Sequence, residues 1–211
     1  QLTCGDGGIV TCNDEKLATS IRKFGGLGFK TLTAESGKVR TDRDLLQNPA
    51  WERFEQIGYN FRMNQLAAAV ALAQMEKGQF FISLRRDMGL GFTSALKNAS
   101  LLVPQFQPPG FYFTYYTFSA KFNGAEQGIK WEDFRKKFME FGGDGIYSAS
   151  RLQHQEPAFR DAKIGYGETP IAVDLQSKLM NFTTNQANKE ERNVQIEALN
   201  KTLLFFGDNI K

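Results

Sequence analysis

The sequence has few of the residues on which disulfide-rich and metal-dependent proteins rely. Its 211 residues include two cysteines, Cys4 and Cys12, and a single histidine, His154. Neither cysteine has a histidine or another cysteine at metal-ligand spacing, so the sequence predicts no metal site. We expect both to be free, buried thiols of a protein that works in the reducing cytoplasm.

Charge of one sign is also lacking. The chain has 26 basic and 23 acidic side chains, for a formal net charge of +3, and no basic run is interleaved with aromatics. This balance argues against a nucleic-acid partner. The longest apolar runs fall far short of the roughly 20 residues that a membrane-spanning helix needs. We therefore expect neither nucleic acid nor a membrane among the partners.

Apolar and aromatic residues, by contrast, are plentiful. Hydrophobic residues make up 41% of the chain, and 19 residues are phenylalanine. This content predicts a large core together with an apolar subunit interface. The length lies at the upper end of one domain or the lower end of two.

The start of the chain predicts a strand followed by a helix, as in an α/β sheet. The β-branched residues at 9–12 favour a buried strand of a sheet that begins earlier in the protein. Asn13 or Asp14 is then expected to cap a helix that ends at Gly25 and Gly26.

The segment that follows has no periodic pattern. Residues 27–47 predict a long loop of the kind that often covers a site. Asn48 and Pro49 then predict the start of a short helix, with proline at its first helical position.

Residues 58–77, GYNFRMNQLAAAVALAQMEK, are the part of the chain with the clearest chemical suggestion. The run LAAAVALA at 66–73 is apolar on every side, so it predicts a helix buried all round, capped by Asn64. Asn60 and Arg62 precede it, and helix starts attract anions. The alternative is that these two side chains only satisfy local backbone and a surface carboxylate.

The second half predicts a compact α/β unit. A helix is expected to continue past Lys77, weakened at Gly89 and Gly91. The remaining pattern predicts a strand at 111–122, a helix at 131–141, a strand at 145–149 and a closing helix capped by Asn188.

An irregular stretch at 150–170 holds His154 with Arg151 and Arg160. A lone histidine on a polar loop is most often a surface residue, and His154 has no nearby acid or cysteine to form a nucleophile pair. The alternative is that the stretch determines substrate specificity.

Two segments resemble the DegT/DnrJ/EryC1/StrS family of PLP-dependent sugar aminotransferases. Residues 2–11, LTCGDGGIVT, are similar to the family segment K-x-[LI]-T-x-G-[ED]-G-G-x-V-x-T. The family signature GYNYRM-x-x-x-x-A-A-x-x-x-x-Q-x-x-K is matched by Gly58, Tyr59, Asn60, Arg62, Met63, Ala68, Ala69, Gln74 and Lys77.

The resemblance implies an aspartate-aminotransferase-like α/β fold, PLP fold type I. Residues 1–78 would end the large PLP-binding domain, and residues 79–211 would form the small C-terminal domain. The chain would then be the C-terminal half of the enzyme, and the Schiff-base lysine of the family would stand immediately before Gln1.

The resemblance also implies the site residues and partners. Asn60 would donate its amide to the PLP phosphate of the neighbouring subunit, which makes the homodimer obligatory. Arg62, Arg151 and His154 are the candidate substrate-binding residues. The amino donor would be L-glutamate and the acceptor an oxo-sugar.

Residues 153–160 and 170–180 resemble the family branch that aminates C8 of oxidised Kdo (3-deoxy-octulosonate), a lipopolysaccharide sugar. Thr169 stands where that pattern has cysteine, and Val173 with Asp174 where it has Ala-Glu. A nucleotide-linked keto-deoxyhexose is the alternative acceptor. If histidine replaces the lysine before Gln1, the implied activity is a PLP-dependent sugar dehydratase, and loss of both would leave a non-catalytic sensor or regulator.

Overall fold

The computed structural model describes residues 1–37, 42–165 and 169–208. Its backbone forms two compact units, one of residues 2–77 and one of residues 78–211 together with Gln1. None of the helices in these described ranges has the length and hydropathy needed to cross a lipid bilayer.

The first unit begins with an irregular segment and then forms helix α1 (Glu15–Gly25). The Asp14 side chain accepts the Leu17 N–H at 2.7 Å, and Gly26 follows as the C-cap. A carboxylate at a helix start satisfies a free amide and opposes the dipole, which explains why this helix begins where it does. The predicted cap and the predicted end are both confirmed.

The predicted strand at residues 9–12 is wrong. The segment has no regular structure, and Ile9 and Val10 are 69% and 71% exposed. A strand needs a paired neighbour, and no other part of the described chain pairs with these residues. The thiols of Cys4 and Cys12 are free as expected, but Cys4 is half-buried and Cys12 exposed, because the strand that would bury them does not form.

The predicted short helix after Asn48 is also wrong. The helix lies before it, as α2 (Arg43–Gln47), within the stretch predicted to be a loop. Asn48 Oδ1 accepts the Ala50 N–H at 2.9 Å, which closes a turn and competes with helix formation. Phe54 pairs instead as an isolated bridge with Phe29.

Helix α3 (Gln65–Glu76) confirms one prediction and corrects another. Asn64 Oδ1 accepts the Ala67 N–H at 2.8 Å, as expected for the cap. The helix is not buried all round, because none of its residues is buried, and Leu66 and Leu72 are 84% and 63% exposed. An apolar sequence permits burial, but only packed neighbours on every side produce it, and the described residues of the first unit do not supply them.

The second unit begins with helix α4 (Gly78–Ala95), which continues without a break through Gly89 and Gly91. The expected weakening is therefore wrong. A Cβ on Gly89 would lie 2.5 Å from the Tyr115 ring. The absence of a side chain thus lets Tyr115 pack directly on the helix backbone, which offsets the poor helix propensity of glycine.

A four-stranded antiparallel sheet lies at the centre of this unit, in the order β1-β2-β4-β3. Its strands are β1 (Leu102–Pro104), β2 (Phe118–Phe122), β3 (Ile146–Ser148) and β4 (Leu179–Phe182). The strand predicted at 145–149 is confirmed, but only the last part of the predicted 111–122 strand forms. Tyr115 has a φ of +48°, which is incompatible with an extended strand at that point.

Helices α5 (Trp131–Glu140) and α8 (Lys189–Phe205) pack against each other, and α8 also packs against α4. The predicted cap of α8 is confirmed, since Asn188 Oδ1 accepts the Glu191 N–H at 2.8 Å. Two short helices, α6 (Pro157–Asp161) and α7 (Pro170–Gln176), lie between β3 and β4. The apolar core of the unit contains Phe92, Phe118, Phe134, Phe138, Phe182, Met180 and Leu199.

Candidate functional site

Backbone pairing holds the segment of Asn60 against the end of α1. The Tyr59 N–H donates to the Phe24 carbonyl at 2.6 Å, and the Phe61 N–H donates to the Gly25 carbonyl at 2.8 Å. Asn60 itself forms an isolated bridge with Gly26. The position of the Asn60 Cα atom is therefore set by hydrogen bonds on both sides.

The Asn60 side chain is oriented by Arg62. Arg62 Nε donates to Asn60 Oδ1 at 2.9 Å. Because a guanidinium nitrogen can only donate, this contact fixes the carboxamide with its oxygen towards Arg62. Asn60 Nδ2 is then directed elsewhere as a donor. Both side chains are exposed, so they are accessible to a ligand.

The Asn60–Arg62 pair lies at the edge of a cavity of about 910 Å³ within the first unit. Arg22, Gly7, Gly8 and Asp6 also line it. Arg22 Nη1 donates to the Thr33 carbonyl at 2.9 Å, which anchors a second guanidinium at this cavity. Arg22 lies in the last turn of α1, and it lines the same cavity as Arg62 because residues 59–61 pair with the end of that helix.

The donors in this cavity fit a phosphate better than a cation. Asn60 Nδ2 and the two guanidinium groups are hydrogen-bond donors, and Arg binds phosphate oxygens in a fixed planar geometry. Asp6 is the opposing group, since its carboxylate repels an anion. With two guanidinium groups against one carboxylate, the lining retains a net positive charge, and the residues present fit an anionic group.

The other two candidates, Arg151 and His154, belong to the second unit. Arg151 is exposed, and His154 is half-buried in a single 3-10 turn, Gln153–Gln155. Arg160 of the same stretch pairs with Asp161 at 2.9 Å. The structure thus brings Asn60 and Arg62 into direct contact with each other, and it places Arg151 and His154 on a separate segment of irregular chain.

Three comparisons with known proteins bear on this arrangement. GDP-perosamine synthase of Escherichia coli O157:H7 is 25% identical over 211 residues, covering 98% of this chain and 49% of the relative. A sugar aminotransferase of Micromonospora echinospora has a TM-score of 0.75 at 16% identity and covers 95% of this chain and 48% of its own. The chain therefore spans about half the length of the relatives that it matches.

A Streptococcus pneumoniae protein described as a sugar aminotransferase, solved in its PMP form, has a TM-score of 0.66 at 14% identity. It covers 92% of this chain and 46% of its own. These structural matches confirm the predicted α/β fold of type I PLP enzymes. The model of the DegT/DnrJ/EryC1/StrS aminotransferase family matches residues 1–198. The chain, with its paired Asn60 and Arg62 just before the N-terminus of α3, belongs to this family of PLP-dependent aminotransferases.

Proposed function

We propose that the protein containing this chain is a PLP-dependent aminotransferase that moves an amino group from L-glutamate to an oxo-sugar. The observation that carries the proposal is the Asn60–Arg62 hydrogen bond at 2.9 Å, in the segment that resembles the family signature. The bond holds the carboxamide oxygen on Arg62 and leaves Nδ2 as the donor end, at a cavity whose lining has two guanidinium groups against one carboxylate.

The chain contributes the second part of that enzyme. Residues 1–78 complete the large PLP-binding domain, and residues 79–211 form the small domain. The lysine that binds PLP covalently stands immediately before Gln1. Two copies of the protein form a dimer with shared active sites, and they act in the cytoplasm.

PLP supplies the electron sink of the reaction. The role of this chain is to hold that group in place. Asn60 Nδ2 donates to the PLP phosphate held by the partner subunit, and Arg62 keeps the amide in the orientation for this contact. Arg62, Arg151 and His154 are the groups of this chain that bind the sugar or its acidic substituents.

The acceptor is best sought among nucleotide-linked keto-deoxyhexoses. The relative that matches 98% of this chain is named for a GDP-linked sugar. The support for 8-oxo-3-deoxy-octulosonate is the resemblance of residues 153–160 and 170–180 to that branch. In the structure these segments form the 3-10 turn, α6 and α7, which carry mainly exposed side chains. This resemblance makes the octulosonate, a lipopolysaccharide precursor, the second acceptor to test.

The phosphate contact is tested by substituting Asn60→Ala in the full-length protein. Removal of one hydrogen bond to a charged group costs about 1.5–3 kcal/mol, or about 10- to 100-fold in affinity. We expect PLP retention to weaken by that amount while the melting temperature of the cofactor-free protein stays the same. Asn13→Ala, at an exposed position outside the cavity lining, is the matched control. Equal PLP retention in both variants would remove the proposed role of Asn60.

The activity is tested by incubating the full-length protein with L-glutamate and a panel of oxo-sugars. The panel contains GDP- and UDP-linked 4-keto-6-deoxyhexoses and 8-oxo-3-deoxy-octulosonate. Glutamate-dependent formation of an amino sugar is the expected result. Release of water from the sugar without consumption of glutamate would instead identify the dehydratase that a histidine before Gln1 implies. A failure to consume any of these sugars would contradict both activities.

A further inference from the structure

The Asn60 segment lies unusually close to the turn that follows α1, and two glycines permit this. A Cβ built on Gly58 would lie 2.5 Å from the Gly28 nitrogen and 2.8 Å from the Lys23 carbonyl oxygen. A Cβ built on Gly28 would lie 1.8 Å from the Gln56 carbonyl oxygen. All of these neighbours are backbone atoms, which cannot rotate away as a side chain could.

The turn itself depends on a left-handed backbone. Leu27 has a φ of +67° and Gly28 a φ of +78°. This pair of left-handed residues returns the chain so that the Gly28 N–H donates to the Lys23 carbonyl at 2.8 Å. The Gly28 carbonyl in turn accepts the Glu55 N–H at 2.8 Å. Gly28 is thus hydrogen-bonded to α1 through its N–H and to the segment before Gly58 through its carbonyl oxygen.

Hydrogen bonds on either side of Asn60 depend on this close approach. The Leu27 N–H donates to the Tyr59 carbonyl at 2.9 Å, next to the contact between Gly58 and Gly28. On the other side, the Phe61 N–H donates to the Gly25 carbonyl. Stacking of Tyr59 and Phe61, with ring centroids 5.3 Å apart, adds a side-chain contact across Asn60. Any outward shift of Gly58 is therefore transmitted to Asn60.

We propose that Gly28 and Gly58 are positioning residues that set where the Asn60 carboxamide meets the phosphate of PLP. This inference rests on the proposed function. A methyl group at position 58 has to withdraw by roughly 1 Å to reach ordinary contact distance from 2.5 Å. A shift of that size takes Nδ2 out of hydrogen-bond range of a fixed acceptor.

The test compares Gly58→Ala with Gly91→Ala in the full-length protein. Neither glycine has a positive φ, so neither substitution adds backbone strain of that kind. Gly91 lies in α4, outside the cavity lining, and a Cβ on it would come within 3 Å only of the Ile196 Cδ1 atom at the end of a side chain. PLP dissociation is measured by equilibrium dialysis. We expect the PLP dissociation constant to rise about tenfold in Gly58→Ala and to stay unchanged in Gly91→Ala. Equal PLP affinity in the two variants would overturn the proposal.

A positioning role is separated from a general loss of stability by combining Gly58→Ala with Asn60→Ala. If Gly58 acts through Asn60, its substitution lowers PLP affinity no further once Asn60 is alanine, although it lowers the melting temperature equally in both backgrounds. An additional loss of PLP affinity in the double variant would show that Gly58 acts by another route. If Asn60→Ala alone retains PLP fully, the proposed phosphate contact fails, and the positioning role fails with it.

A second pair of variants covers the case in which Gly58→Ala does not fold. Phe61→Pro removes both the ring and the N–H that donates to Gly25, whereas Phe61→Ala removes the ring alone. We expect PLP affinity to fall several-fold further in Phe61→Pro than in Phe61→Ala. Equal affinities would contradict the idea that backbone pairing beside Asn60 places its amide.

Discussion

Arg62 Nε donates to Asn60 Oδ1 at 2.9 Å, across two residues of a segment with no regular structure. The contact decides which end of the carboxamide is held by Arg62 and which end is left to donate to another group. An exposed asparagine without such a partner samples both orientations of its amide. The pair therefore converts a mobile polar side chain into an oriented donor.

This orientation predicts a graded effect of substitution at position 62. Arg62→Met removes the donor to Oδ1 and leaves Asn60 in place, so we expect PLP affinity to fall by about 3- to 10-fold, less than in Asn60→Ala. Cofactor retention after gel filtration is the measurement. Arg43→Met, at an exposed position in α2, is the control. A larger loss in Arg62→Met than in Asn60→Ala would mean that Arg62 binds the phosphate directly.

The contact of Gly89 with Tyr115 predicts a difference between two glycines of one helix. Gly89→Ala places a methyl group 2.5 Å from the Tyr115 ring, and we expect it to lower the free energy of unfolding by about 1–3 kcal/mol. The helix propensity of alanine offsets part of this. At Gly91 the methyl group comes closer than 3 Å only to the Ile196 Cδ1 atom, at the end of a side chain that can rotate.

Urea denaturation of the full-length variants provides the measurement. Gly91→Ala is the matched control, because the same change in the same helix adds the same propensity gain without a ring in the way. A Gly89→Ala variant at least as stable as Gly91→Ala would contradict the predicted clash.

The buried hydrogen bonds of Asp208, near the end of the described chain, predict that removal of its carboxylate destabilises the fold. It is 7% exposed and accepts the N–H and Oγ–H of Ser100 and the N–H of Leu101 at 2.8–3.0 Å. Asp208→Ala leaves these donors without a partner, and we expect it to lower the free energy of unfolding by about 2–4 kcal/mol. Thermal and urea unfolding would measure it.

An exposed pair on the same unit is the control for Asp208. Glu197 and Lys201 lie four residues apart on α8, with their charged atoms 3.2 Å apart. We expect Glu197→Ala to change the free energy of unfolding by less than about 0.5 kcal/mol. If Asp208→Ala lowers the free energy of unfolding no more than Glu197→Ala does, the buried carboxylate contributes no more to stability than a surface one.

The pairing of Asp174 with Lys178 predicts that the stability of the segment between β3 and β4 depends on pH. A hydrogen bond and the positive charge of Lys178 lower the pKa of its carboxyl below the ordinary 3.8. Because the folded pKa is the lower one, the stabilisation is present above the ordinary pKa and is lost as the pH falls through the folded pKa. Lys178→Met is expected to raise the pKa of Asp174 towards 3.8 in an NMR titration of the carboxyl carbon. An unchanged pKa would contradict the pairing.

The sequence alone was sufficient to predict helix caps and helix ends, which depend on residues close together in the chain. The caps Asp14, Asn64 and Asn188 and the stop at Gly26 are where the pattern placed them. Each depends on atoms within about three residues of the cap, so the sequence alone contains the relevant interaction. Strands were harder to predict than helix caps, because a strand needs a paired neighbour. Residues 9–12 and 111–117 have side chains that favour strands, but they lack such a neighbour in the described chain.

The candidate site was predicted only in part for the same reason. Resemblance to the family indicated Asn60 and Arg62, and the structure adds that they are hydrogen-bonded to each other. It did not indicate that Arg22 lines the same cavity or that Gly28 packs against Gly58. Gly28 and Gly58 are 30 residues apart in the chain, and nothing in a local pattern encodes such a separation.

The sequence by itself determined the family, the helix boundaries set by capping residues and the identity of the candidate amide donor. Tertiary structure alone decided which apolar segments are buried. Leu66 and Leu72 on α3 are exposed, whereas Phe92 on α4 is 1% exposed, although both helices are apolar. The physical reason is that hydrophobic side chains respond to the elements that surround them, and that arrangement is a property of the folded chain.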